Sequence, residues 1–244
     1  MSEQPRNPWE GFLTFLDRAA DWVREHQDEI RAAGIWAAAG RAGRVARLYV
    51  PFDPEAWIQI EQAQRQSEPD VEPDYGSLLV SLYGPGGIGH ETLREELRNS
   101  TLLRDRTGEV EEVLDSLADQ RYFVTVCGAL PLVEYVLSSA AGKWKDPRKH
   151  LEALEARLDE PASAVDLDLL LDATAVEMVL EEVPEIWKDG RQDVGAINDR
   201  LNRHRALHGT ARGWDDLANA TRAVLLLAAV ARISTPLLGP PSGP

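Results

Sequence analysis

The chain has 244 residues, of which 43% are hydrophobic and 27% charged, and a formal net charge of −15. That balance excludes wholesale disorder and a fibrous repeat, and the length allows one large or two small domains. The acid excess argues against a general nucleic-acid coat, which needs surplus Lys and Arg, and the single cysteine, Cys127, excludes an intramolecular disulfide or a cysteine-rich metal centre. The opening residues, MSEQPRNPWE, lack a basic region feeding an apolar one, so no secretory leader is expected. No uninterrupted apolar run approaches the ~18 residues of a membrane span, so the expectation is a cytoplasmic protein with no membrane partner.

The pattern is helical nearly throughout. Asn7 and Pro8 form a helix start, and Trp9, Phe12, Leu13, Leu16, Ala20 and Val23 recur at helical steps. Gly34 is expected to end or bend that helix, with IWAAAGRAGRVARL continuing as small-residue helix or turn. Asp53 and Pro54 start a helix to about Gln66, and SEPDVEPDYG is a polar loop. SLLVSLY (77–83) is the one stretch with strand character. The following Gly84, Gly86 and Gly89 match G-x-G-x-x-G, but the next ~40 residues read as helix where a dinucleotide fold needs a second parallel strand. A surface loop is the simpler reading.

From Thr107 onward, helices are predicted at 108–120, 121–141, 147–158, 163–182, 194–209 and 215–234, the first two forming one bent helix or two. Asp215 or Trp214 opens the last, and VLLLAAVARI is apolar nearly all round, which places that helix centrally or at a subunit interface. A helix packed on one side only would leave part of this surface exposed, so a two-fold partner meeting residues near 203–230 is expected to cover it. The chain divides into a mostly helical region, 1–106, a helical domain, 107–235, and a disordered tail, 236–244.

The chemistry-bearing residues cluster in LNRHRALHG (201–209). His204 and His208 lie four apart on one helix face, with Arg203 and Asn202 beside them. Residues 186–234 hold eight basic and five acidic residues, so this part is locally basic. A metal pair is one reading, although Arg205 stands where a zincin needs glutamate. Basic residues favouring a helix C-terminus are another. A third is a metal-free ribonuclease site, in which histidine takes the 2′-OH proton and a guanidinium stabilises the phosphorane.

Arg203–His204–x–x–x–His208 is an R-x4-H motif with a polar residue after the arginine. With its flanks NRHRALHG and GWDDLANATRAVLLLAAV, it resembles the HEPN superfamily, all-helical domains of toxin–antitoxin, abortive-infection and CRISPR ribonucleases. Upstream, VEEVLDSLADQRYFVTVCGALPLVEYVL is similar to the paired helices of a bacterial subgroup, with Tyr122 and Glu134 at its tyrosine and glutamate positions. The resemblance spans about residues 107–235. It implies an all-α, HEPN-like bundle with an additional, mostly helical N-terminal region. It further implies a homodimer with a composite cleft, an RNA substrate, an antitoxin or defence-system partner protein, and no cofactor or metal. On it His208 is the general base, Arg203 holds the scissile phosphate, His204 and Asn202 position it, and Glu134 orients Arg203 or His208. Thr210 stands where one antitoxin class modifies a tyrosine with AMP, so the resemblance does not extend to that regulation. Some members are catalytically silent binding modules. Outside the motif, Tyr122 is expected as a core aromatic and Cys127 as an inert core thiol.

Overall fold

Apolar periodicity sets the architecture. The computed structural model describes residues 27–68, 70–140 and 215–234, together with Ala175, Met178, Val179, Glu182, Val183, Pro184 and Ile186. Of the described residues 81% are helical and none lies in a strand, so the chain is all-α across them.

Helix α1 spans Gln27–Ala46 and continues through Gly34, so that glycine does not end the helix. Nothing lies near the missing Gly34 side chain. An exposed glycine costs a helix about 1 kcal/mol, which the surrounding alanines and the buried face of Ala38, Ala39 and Ala42 outweigh. The helix ends at Arg47, with φ 54°, where the Leu48 amide donates to the Gly43 carbonyl at 3.0 Å, a Schellman closure. Helix α2, Pro54–Gln66, starts as predicted: the Asp53 carboxylate accepts from the Ala56 amide at 2.8 Å and Pro54 fills the first turn.

Helix α3, Tyr75–Tyr83, replaces the strand expected over 77–83. A short apolar run cannot distinguish a strand from a buried helix. Here Asp74 caps the run, accepting from the Ser77 amide at 3.0 Å, and Tyr75, Leu79, Leu82 and Tyr83 are buried at helical steps. Helix α4, His90–Asn99, buries Leu93 and Leu97. A 3₁₀ turn, Thr101–Arg106, leads into α5, Thr107–Ala118. Helix α6, Tyr122–Ala140, is separate from α5, because Gln120 takes φ 60° and the Arg121 amide turns back to the Ser116 carbonyl at 2.8 Å. Helix α7 spans Leu217–Ser234 and is capped by Asp216 rather than Asp215 or Trp214, with the Asn219 amide donating at 2.7 Å.

Side-chain contacts fix the helix directions. Arg94 bonds to Asp115 and, at 3.1 Å, to Glu111, while Arg98 meets Glu111 at 2.9 Å, so α4 and α5 are antiparallel. Val113 packs at Gly128 and the Arg106 guanidinium lies 4.8 Å from the Tyr135 ring centre, so α5 and α6 are antiparallel too. Gly84 packs against Leu217 and Thr221 at the start of α7, and Glu96 lies 3.8 Å from Arg232 near its end, so α7 runs with α4. Helices α6 and α7 therefore point the same way.

Helix α7 is the centre, with fourteen of its eighteen residues buried. One apolar core joins Ile60, Leu79 and Leu93 to Leu114, Val133 and Leu226. The part of the expected two-fold surface that lies on α7, residues 217–230, is thus largely covered within the chain, and residues 203–214 lie outside the described residues. A second correction concerns hydropathy: Tyr122–Ser139 and Leu217–Ser234 each average 1.4 over 18 residues, enough for a span by length and composition, and are 44% and 78% buried. Counting uninterrupted apolar runs missed them because Thr125, Glu134 and Arg222 break the runs without lowering the average much. The described residues Ala175, Met178, Val179, Val183 and Ile186 are helical and buried, so helix continues past the expected end at 182, where Val183 and Ile186 extend the buried face. The helices expected at 147–158 and 194–209, most of 163–182 and the tail 236–244 lie outside the described residues.

Candidate functional site

Of the motif residues, Asn202, Arg203, His204 and His208 lie outside the described residues. Glu134 is half-buried on α6, and its backbone carbonyl accepts from the Ser138 hydroxyl at 2.7 Å. Tyr122 opens the same helix, half-buried against the core. Among the described residues, no three His, Cys, Asp or Glu side chains form a metal-holding group.

The glycine loop joins helix to helix, so it lacks the strand a dinucleotide site requires. Its own geometry uses the glycines. Gly86 takes φ 75°, and a Cβ on Gly89 would sit 2.5 Å from Cε1 of Tyr83. The Gly87 and Gly89 amides donate to the Gly84 and Leu82 carbonyls at 3.0 and 2.9 Å, closing a tight turn rather than facing a phosphate.

A buried polar centre ties the link after α1 to the core helices. The Tyr49 hydroxyl donates to Glu96 Oε1 at 2.6 Å, the oxygen that also faces Arg232, while the Tyr49 amide meets Met178 Sδ at 2.9 Å. Burial first, then the Glu96 charge, pushes the Tyr49 phenol well above its usual range. The Tyr83 phenol, raised mainly by burial, donates to the Pro51 carbonyl at 2.7 Å, and the Trp57 indole joins it there at 2.8 Å. Phenols held protonated are donors, not bases, so this centre locks the fold. Apart from Trp57 and Pro51, six apart, the bonded partners are 32 or more positions apart in sequence and carry no motif.

Between α5 and α6 lies a groove of about 510 Å³, lined by Arg106, Glu112, Val113, Cys127, Pro131 and Tyr135 among others. Cys127 is half-buried at this wall rather than sealed in the core as expected, because its side of α6 faces the groove. Burial pushes the thiol up, which keeps it protonated and slow to react near neutral pH. Arg106 donates to Glu109 at 2.8 Å while lying over Tyr135. No protein-family model, curated protein or solved structure matches the chain.

Proposed function

We propose that the chain is a metal-independent endoribonuclease of HEPN type, a toxin or antiphage effector that acts in the cytoplasm. The observation that carries this reading is the Asn202–Arg203–His204–x–x–x–His208 sequence within an all-helical chain. His208 takes the 2′-OH proton, Arg203 stabilises charge on the phosphorane, and His204 and Asn202 hold the phosphate. Glu134, half-buried on α6, orients Arg203 or His208. Purified protein should cleave total RNA in EDTA, leaving 2′,3′-cyclic phosphate ends and sparing DNA, which has no 2′-OH to attack. Arg203→Ala and His208→Ala should each lower cleavage by ~10²-fold or more. Activity lost in EDTA and restored by Zn²⁺ would favour the histidine metal pair instead.

The homodimer belongs to this reading through the resemblance alone, since α7 is already largely covered. Light scattering should report about twice 27.0 kDa. A second reading, a catalytically silent HEPN-like module binding a protein or nucleotide, is favoured by the acidic body, net −15. No cleavage under any condition would select it.

A further inference from the structure

We draw no further inference here: the strongest candidate, the groove of about 520 Å³ that opens between α1 and α2 over Ile35 and Ile58, has for its polar walls exposed side chains such as Arg31 and Gln62 that no contact draws together around a ligand, and nothing in the structure shows what covers it.

Discussion

The α5–α6 crossing makes a quantitative test of the packing that shapes the groove. Gly128 lies inside α6, and a Cβ there would sit 2.6 Å from Cγ2 of Val113, itself only 3% exposed. Replacing an interior helical glycine by alanine ordinarily stabilises by about 0.5–1 kcal/mol. Here the added methyl meets a β-branched side chain with one preferred rotamer in a helix, so α5 itself must shift. Overpacking of that kind costs typically ~1–3 kcal/mol, which leaves Gly128→Ala destabilised by roughly 0–2 kcal/mol. Val113→Ala alone loses about 2 kcal/mol through lost burial and the space left behind. In that background the Gly128→Ala methyl enters vacated space, and the same substitution becomes stabilising by up to ~1 kcal/mol. The double-mutant coupling is therefore about 1–3 kcal/mol. Urea unfolding of the four proteins reads it from the midpoints, provided the slope stays constant. Gly128→Ala stabilising by the full ~1 kcal/mol, additively with Val113→Ala, would refute the close crossing.

At the corner between α5 and α6, Gln120 holds φ 60°. Such a conformation costs an L-residue roughly 1–2 kcal/mol and glycine's extra chain entropy about 0.5–1 kcal/mol. Gln120→Gly should thus raise stability by about 0.5–1 kcal/mol, seen as a higher thermal midpoint; a lower midpoint counts against the turn. The Arg98 hydrogen bond, aided by Arg94 and opposed by burial, holds the Glu111 carboxyl below the ordinary glutamate value of 4.5. A lowered folded-state value means stability fully present above that ordinary value and lost as pH falls through the folded one. Glu111→Gln should therefore be less stable than the parent at neutral pH, with the gap closing in acid. A gap independent of pH would show that Glu111 is not held in this way.

Local chemistry made several elements legible in the sequence. Asp53 before Pro54 starts α2 as predicted because the cap and the first-turn proline act over four residues. Helix α4 was equally plain, and the all-round apolar pattern of α7 narrowed its place to the centre or a subunit interface, between which its burial decided. The errors arose where local preference was balanced. SLLVSLY suits either a strand or a buried helix, and the Asp74 cap together with packing around Tyr83 decided it. Gly34 weakens a helix without stopping one. Tertiary arrangement was invisible for a different reason. Arg106 over Tyr135, Val113 at Gly128, and Tyr49 on Glu96 each join residues from different segments, with no spacing rule to announce them. Of the motif constellation, only Glu134 is among the described residues, so the sequence remains the ground for Asn202, Arg203, His204 and His208.

Hydropathy and direction together bear on how α6 and α7 are used. Each is long and apolar enough to cross a bilayer. Two spans inserting as a hairpin must run in opposite senses, yet the contacts of Gly84, Glu96, Val113 and Tyr135 make α6 and α7 run in the same sense. A parallel pair would need residues 141–216 to recross between them, and that stretch carries Asp166, Asp168, Asp172, Glu177, Glu181 and Glu182 where an apolar crossing would have to lie. Each such acid is costly at the centre of a bilayer, by about 2.5–3.5 kcal/mol even on insertion scales. For α7, 78% buried, enclosure within the bundle is a reason for the same hydropathy; α6 is 44% buried. A helix packed by α3, α4, α5 and α6 is apolar nearly all round, and the two arginines of α7 occupy half-buried positions: Arg222, flanked by buried Thr221 and Ala223, and Arg232 beside Glu96.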